Sequence, residues 1–149
     1  MEVSVHPEDE FITHALGSCL GIALHDPVTG VGGLIHIMLP MSKIDRAKAE
    51  QKPCMFVDTG VPELFIKLYA LGASKENITV KVAGGARILD PDSRFKIGER
   101  NYTMLRKLLW KNDVLIHGEN VGGTESRTMT LEMETGKVTV RSNGETKEL

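Results

Sequence analysis

The chain of 149 residues lacks several features that would assign it to a special class of protein. Its longest weakly polar run, residues 30–41, contains His36 and Pro40 and is too short to cross a bilayer, which takes about 20 residues. Lys and Arg number 18 against 20 Asp and Glu, so the basic excess of a nucleic-acid-binding protein is missing. The composition therefore argues against membrane insertion and against a nucleic-acid partner, and it indicates a globular domain.

The chain also has few cysteines, and it has no Lys or Arg among its first ten residues. Residues 1–10 hold four acidic side chains and neither Lys nor Arg, whereas a secretory signal begins with positive charge. We therefore expect the protein to be cytoplasmic. The two cysteines, Cys19 and Cys54, form no CxxC motif, and a reducing compartment would keep both as thiols. Each is then either a small core residue or a nucleophile.

The pattern of apolar residues and turns predicts one α+β domain over residues 1–149, with a polar, frayed tail from about residue 142. Asn101 is the predicted N-cap of the second helix, and Gly72 the residue that follows the end of the first. An exposed loop or a loose helical turn is expected at 42–53, and a long polar loop at 90–100. The predicted strands are 20–25, 31–39, 78–82, 113–117, 127–133 and 137–141, and the predicted helices are 61–71 and 102–111.

The hairpin formed by the first two predicted strands is the most informative feature. It turns at the sequence Asp-Pro-Val-Thr-Gly, residues 26–30. Residues equidistant from the centre of a hairpin lie opposite each other, with Cβ atoms about 5 Å apart. The midpoint between Cys19 and His36 lies between Pro27 and Val28. We therefore expect the thiol and the imidazole to face each other to within about one residue, the shift that a bulge would cause.

A cysteine beside a histidine is the minimal machinery of covalent acyl transfer. A free thiol has a pKa near 8.5, and a neighbouring imidazolium lowers it, so that more of the nucleophilic thiolate is present. We expect backbone amides of the flexible segment at Gly17 and Ser18 to turn toward a developing oxyanion, and the hydroxyl of Thr13 to orient the ring of His36. These residues form a candidate active site around Cys19.

Structural interpretations of the same residues remain open at this point. Unpaired cysteine is among the most buried residue types, and His36 alternates with Leu34 and Met38 as a core histidine would. The glycine pair at 32–33 predicts a bulge or a close backbone contact. No His or Cys spacing typical of a metal site and no phosphate-binding loop is present, so we expect neither a metal nor a cofactor.

Several motifs spread from about residue 13 to residue 140 resemble those of the chemoreceptor glutamine deamidase family, CheD. They are Leu16-Gly17-Ser18-Cys19, Asp26, Gly33, His36 with Met38-Leu39-Pro40, Gly72-Ala73, Lys81-Val82-Ala83-Gly84-Gly85-Ala86, Ile97-Gly98-Glu99-Arg100-Asn101, Val121-Gly122-Gly123 and Arg127.

The resemblance implies a hydrolase that converts glutamine side chains on the cytoplasmic helices of bacterial chemotaxis receptors to glutamate. It implies a catalytic group of Cys19, His36 and Thr13. It also implies a β-sandwich core with helices outside, similar to the deamidating cytotoxic necrotizing factor toxins, and the chemotaxis phosphatase CheC as a partner.

Candidate substrate-binding residues are Gly17, Ser18, Arg87 and Asn101, although an ordinary salt bridge explains Arg87 equally well. The main alternative function is a non-catalytic adaptor that binds CheC. A papain-type peptidase fits less well, because such enzymes separate the cysteine and the histidine by more than about 100 residues.

Overall fold

The computed structural model describes residues 1–87 and 95–149, and two β-sheets account for most of the regular structure in them. The strands are β1 (Glu2–Ser4), β2 (Glu10–Leu16), β3 (Leu20–Asp26), β4 (Val31–Ile37), β5 (Thr79–Gly84), β6 (Gly118–Val121), β7 (Arg127–Glu132), β8 (Val138–Ser142) and β9 (Glu145–Glu148). The α-helices are α1 (Arg46–Gln51), α2 (Val57–Ala70) and α3 (Ile97–Lys111), and short 3-10 helices cover Ser42–Ile44 and Pro53–Met55.

The first sheet has the strand order β1-β4-β3-β5-β6, and its pairs are antiparallel except for the parallel pair of β5 and β6. The second sheet is antiparallel, with the order β2-β7-β8-β9. One apolar cluster joins the first sheet to α2 and α3, and a second fills the space between the two sheets. The first sheet is therefore the middle layer, and the predicted mixed α and β class is confirmed.

The sequence of β3 explains why this strand lies at the centre of the protein. All seven of its residues are buried. Successive side chains point to opposite faces, so Leu20, Ile22 and Leu24 pack toward the helices. The residues between them, Gly21 and Ala23, are small and face the second sheet, which allows the two sheets to approach closely.

Both long helices begin earlier than the sequence predicts. Helix α2 starts at Val57, so Pro62 lies inside it instead of in the first turn. Helix α3 starts at Ile97, and its N-cap residue, Lys96, has φ 42° and makes no capping bond through its side chain. The predicted N-cap role of Asn101 is therefore wrong, because this residue lies inside the helix. Gly72 has φ +103° and directly follows the C-cap of α2, as predicted.

The strand predicted at 113–117 is also displaced. Residues 114–117 are irregular, and the strand β6 begins at Gly118. The ring of His117 explains the delay, since its Nδ1 accepts the backbone N–H of Val80 at 3.0 Å and takes the place of a main-chain acceptor. The exposed segment 42–53 contains the first 3-10 helix, α1 and the first residue of the second 3-10 helix, in agreement with the predicted loose helical turn. The loop predicted at 90–100 lies partly outside the described residues, and its last four residues are helical.

The end of the chain is ordered, contrary to the predicted frayed tail. Residues 145–148 form β9, which pairs with β8 through a turn at Asn143 and Gly144. Both turn residues have positive φ, 50° and 80°, the geometry of the tight hairpin turns that Asn-Gly favours. Leu149 then packs against the cluster between the sheets. No described helix is long and apolar enough to cross a membrane.

Candidate active site

The hairpin of β3 and β4 forms as predicted, but its register differs from the prediction. His36 lies opposite Gly21, and Asp26 lies opposite Val31. The connection has four residues, closed by a hydrogen bond from Gly30 N–H to the Asp26 carbonyl at 2.8 Å. The centre of the turn is therefore one residue later than predicted, and Cys19 lies two residues from the position opposite His36. The expected tolerance of one residue was too narrow.

The glycine pair inside β4 produces close contacts and no bulge. The pairing of β3 with β4 is continuous through Gly32 and Gly33. A Cβ on Gly33 would lie 2.8 Å from the Glu2 carbonyl oxygen of the neighbouring strand, and one on Gly32 would lie 2.8 Å from Sδ of Met133, the residue after β7. Of the two predicted explanations, the close contact is the correct one.

Cys19, in the loop one residue before β3, and His36 nevertheless lie on the same side of the first sheet. Cys19 packs against the apolar cluster between the two sheets, the side that Gly21 and His36 also face. Diagonal neighbours across an antiparallel pair have Cα atoms about 7–8 Å apart, a gap that two side chains can fill. Both residues are partly exposed. The described structure contains no hydrogen bond between thiol and ring, and in unliganded active sites such bonds are often longer than in the reacting complex.

The ring of His36 is oriented by a residue of the second sheet. Thr13 Oγ1 lies 2.8 Å from His36 Nδ1, a hydrogen bond that joins β2 to β4. Because Thr13 contacts Nδ1, the other ring nitrogen, Nε2, is the one that can exchange a proton with the thiol. For Nε2 to accept a proton, the neutral ring must carry its hydrogen on Nδ1 and donate it to the Thr13 hydroxyl. The sequence had suggested this pair of residues.

The strand β2 is irregular directly after Thr13. The register with β7 shifts between Thr13 and Leu16. Ala15 has φ 56° there, in the left-handed region that a residue with a Cβ rarely occupies. Its carbonyl accepts the N–H of Gly17 at 2.9 Å, which begins the loop that leads to Cys19. The strained residue thus connects the strand that carries Thr13 to the loop that carries the thiol.

Backbone hydrogen bonds from the end of β5 hold this loop. Gly85 N–H donates to the Cys19 carbonyl at 2.9 Å, and Ala86 N–H donates to the Gly17 carbonyl at 2.8 Å. Gly84, with φ +109°, makes the approach possible, because a Cβ at this position would lie 2.1 Å from the Cys19 carbonyl oxygen. The glycine at this position therefore allows the end of β5 to contact the backbone of the loop that carries the thiol.

Burial sets the protonation of the two reactive groups. It raises the pKa of the Cys19 thiol, an effect that the residue's own backbone N–H partly offsets. It lowers the pKa of His36, and the positive charge of the N-terminal amino group lowers it further. A thiol beside a neutral imidazole is therefore the resting state. The expectation that an imidazolium lowers the pKa of the thiol does not hold for this resting state.

The four candidate substrate-binding residues lie in different environments. Gly17 and Ser18 belong to the partly exposed loop before Cys19. Arg87 is exposed, and its guanidinium lies 3.9 Å from Glu99, in line with the salt-bridge alternative. Asn101 is completely buried, and its Nδ2 donates to the carbonyls of Ser18 at 3.0 Å and of Met38 at 3.1 Å. Asn101 thus contacts the backbone of the site and does not reach its surface.

The described residues contain no group of three or more His, Cys, Asp and Glu side chains that could hold a metal ion. The reactive groups that the described structure brings to this region are the Cys19 thiol, the His36 imidazole and the Thr13 hydroxyl. Cys54 lies elsewhere, partly buried against the cluster on the helix side of the first sheet. It belongs to the core, and Cys19 is the thiol of the candidate site.

Comparison with known proteins identifies the family. Residues 38–142 match the family model described as CheD chemotactic sensory transduction. This match begins after Thr13, Cys19 and His36, whereas alignments with individual relatives extend over nearly the whole chain.

Two relatives illustrate the extent of the similarity. The chain is 53% identical over 142 residues to "Probable chemoreceptor glutamine deamidase CheD 1" of Syntrophus aciditrophicus, an alignment covering 95% of this chain and 89% of the relative. It is 47% identical over 143 residues to "Probable chemoreceptor glutamine deamidase CheD" of Solibacter usitatus, covering 96% of this chain and 85% of the relative. The chain therefore belongs to the CheD family.

Proposed function

We propose that the protein is a protein-glutamine deamidase that converts glutamine side chains on the cytoplasmic helices of chemotaxis receptors to glutamate, with release of ammonia. The observation that carries the proposal is the hydrogen bond of 2.8 Å between Thr13 and His36, on the sheet face that Cys19 shares. The names of the relatives support the choice of substrate. The protein would act in the cytoplasm, where these receptor segments lie.

In the first half of the reaction, His36 Nε2 takes the proton from the Cys19 thiol as the sulfur attacks the side-chain carbonyl carbon of the glutamine. The new carbon–sulfur bond converts the carbonyl to a tetrahedral oxyanion. His36 then donates the proton to the amide nitrogen, which leaves as ammonia. A thioester between Cys19 and the receptor side chain remains.

Water completes the second half. His36 accepts a proton from a water molecule while the water oxygen attacks the thioester carbon. The carbon–sulfur bond breaks, Cys19 regains its proton from His36, and the receptor is left with a carboxyl group in place of the amide. Thr13 keeps Nδ1 protonated throughout and so presents Nε2 to the reacting atoms.

The resting state of a thiol beside a neutral imidazole suits general-base activation. A thiol that is not ionised at rest needs a base at the moment of attack, and a neutral ring is able to accept that proton. Both groups are partly exposed, so a side-chain amide has access to them. In the loop before Cys19, the Gly17 N–H is already donated to the Ala15 carbonyl, so the N–H of Ser18 is the candidate donor to the oxyanion.

The proposal extends to the phosphatase CheC as a partner, and to a fold shared with the deamidating cytotoxic necrotizing factor toxins. A helix of the phosphatase would occupy the surface around Cys19 that a receptor helix occupies. Receptor and phosphatase would then compete, which binding titrations of one in the presence of the other measure directly. Simultaneous saturation by both partners would exclude a shared surface.

A non-catalytic adaptor is the alternative from a different class. Incubation of the protein with a receptor cytoplasmic fragment distinguishes the two functions, because only the enzyme releases ammonia. We expect release by the wild type and none by Cys19→Ala, with binding to the fragment retained by both. Absence of ammonia with tight binding would identify an adaptor, and backbone cleavage would identify a peptidase.

A further inference from the structure

Asn101 is the exceptional residue on the buried face of α3. That face consists of Gly98, Asn101, Leu105 and Leu109, spaced three and four residues apart as one side of a helix requires. The other three are glycine or leucine, whereas Asn101 carries a polar amide and has no exposed surface. A polar side chain in such a position is costly unless hydrogen bonds compensate for the lost water.

The hydrogen bonds of Asn101 connect the two segments that carry the reactive groups. Its Nδ2 donates to the Ser18 carbonyl at 3.0 Å and to the Met38 carbonyl at 3.1 Å. Ser18 directly precedes Cys19, and Met38 is the second residue after His36. One amide group therefore bridges the loop before β3 to the segment after β4.

The amide of Asn101 is only half satisfied. Its Oδ1 is buried and has no hydrogen-bond partner among the described residues. A buried acceptor without a partner reduces stability, whereas the Nδ2 group satisfies two backbone carbonyls that an apolar side chain would leave without this donor. The unpaired Oδ1 therefore indicates that the asparagine is present for the two hydrogen bonds that its Nδ2 group donates.

The position of this amide is fixed by the packing of the helix. A Cβ on Gly98, one turn before Asn101, would lie 2.6 Å from the backbone of Gly85 and Ala86. Gly85 and Ala86 are the residues whose N–H groups hold the carbonyls of Cys19 and Gly17. The first turn of α3 and the loop before Cys19 are thus packed on the same short segment, which places the Asn101 amide close to this loop.

We propose that Asn101 is a positioning residue that sets the separation of Cys19 and His36 by holding the Ser18 and Met38 carbonyls together. The inference rests on the proposed deamidase function and adds to it a residue that touches neither the substrate nor the reacting atoms. A displacement of about 1 Å between reacting groups lowers a rate by about 10²-fold. Loss of the bridge therefore reduces the chemical step and leaves substrate binding nearly intact.

The test compares Asn101→Leu with the wild type in two assays. In receptor deamidation, we expect kcat to fall by about 10²-fold with little change in KM. In alkylation by iodoacetamide, resolved by mass spectrometry of the separate cysteine peptides, we expect Cys19 to react at least about tenfold more slowly, because His36 no longer takes the thiol proton efficiently. The rate at Cys54 should stay unchanged, as this thiol lies on the other side of the first sheet.

Leu109→Ala is the matched control, since it removes buried contacts from the same helix face two turns away. It should lower thermal stability without lowering kcat or Cys19 alkylation per folded molecule. Asn101→Ser, whose short hydroxyl can reach one carbonyl at most, should give an intermediate kcat and serves as the test if the leucine variant does not fold.

Wild-type kcat and Cys19 alkylation in a folded Asn101 variant would overturn the proposal, as would an equal loss in Leu109→Ala. If the wild type releases no ammonia, the deamidase function fails. A selective loss of Cys19 alkylation in the Asn101 variants would then still support the positioning role.

Discussion

Thr13 Oγ1 and His36 Nδ1 lie 2.8 Å apart and form a hydrogen bond between strands of two different sheets. The orientation of the imidazole therefore depends on the packing of the second sheet against the first. Gly21, the residue opposite His36, keeps this space open, because a Cβ there would lie 3.3 Å from Thr13 Cγ2 and 2.8 Å from Leu16 Cδ1. The catalytic proposal thus requires both sheets and not only the hairpin.

Replacement of Thr13 tests the role of this hydrogen bond. Thr13→Val keeps the shape of the side chain and removes the hydroxyl, so the ring of His36 loses its partner at Nδ1. We expect kcat for deamidation to fall about tenfold, the rate equivalent of roughly 1.4 kcal/mol. Thr13→Ser retains the hydroxyl and should stay close to the wild type; equal activity in the valine and serine variants would show that the bond has no catalytic role.

The pH dependence of activity follows from the directions of the two pKa shifts. The active state has a neutral ring and a thiol, and acid destroys it by protonating His36, whose pKa burial lowers. Alkali removes the proton of the Cys19 thiol, which is needed for the leaving ammonia. Burial raises the pKa of this thiol. We therefore expect kcat/KM to be flat near pH 7, with an acid limb below about 6.5 and an alkaline limb above about 8.5.

Alkylation of Cys19 provides an independent check on this profile. At neutral pH its rate should depend on His36 as the base, and a further rise should follow ionisation of the free thiol, with a midpoint above the ordinary value of about 8.5. A rate that does not rise above about pH 7 would indicate a preformed thiolate paired with an imidazolium, and it would contradict the resting state inferred from burial.

Gly84→Ala tests the support of the Cys19 loop by β5. The new Cβ would lie 2.1 Å from the Cys19 carbonyl oxygen, so this loop must move and activity should be lost. Gly72→Ala is the control, because Gly72 has a similar φ of +103° but a Cβ at that position would meet no atom within 4 Å. It should cost about 1–3 kcal/mol of stability through backbone strain and leave kcat unchanged. Comparable kcat in the two variants would refute the proposed support.

Asp26 makes a structural contribution that depends on pH. Its buried carboxylate accepts the N–H groups of Val28 at 2.8 Å and Thr29 at 3.2 Å through Oδ1, and that of Ser74 at 2.8 Å through Oδ2. Burial by itself would raise the pKa of this carboxyl, but the hydrogen bonds outweigh it and the pKa is lowered. The stabilisation is therefore present above the unfolded value near 3.9 and is lost as the pH falls through the folded pKa.

Asp26→Asn measures this contribution. The amide places an N–H donor against the Ser74 N–H, so we expect a loss of about 1.5–3 kcal/mol in the free energy of unfolding at pH 7. The difference from the wild type should shrink in acid, where the wild-type carboxyl is protonated. A difference that stays constant down to about pH 2 would show that the charge of Asp26 does not matter.

The local parts of the site could be predicted from the sequence because they depend on short-range geometry. The alternation of apolar residues and the turn at 26–30 are enough to place Cys19 just before one strand and His36 on the neighbouring strand. The register was missed by two residues, since Asp-Pro-Val-Thr-Gly does not reveal how many of its residues belong to the loop. Only the pairing of Asp26 with Val31 fixes that number.

The long-range supports of the site could not be predicted in this way. The contacts of Gly84 with Cys19 and of Asn101 with Ser18 join residues far apart in the chain, and nothing in either local sequence identifies its partner. Asn101 also has the residue type of a helix N-cap, whereas the true N-cap, Lys96, carries no capping side chain. The Asn143-Gly144 turn, by contrast, was a readable signal for β9.

The central claim is that the thiol of Cys19 removes amide nitrogen from receptor glutamines, and intact-mass analysis of a receptor cytoplasmic fragment tests it most directly. The fragment is incubated with wild type, Cys19→Ala and Cys54→Ala, where Cys54 serves as the matched thiol in the core. We predict that the wild type and Cys54→Ala increase the mass of the fragment by the difference between an amide and an acid, and that Cys19→Ala leaves it unchanged. The same mass increase with Cys19→Ala would contradict the account.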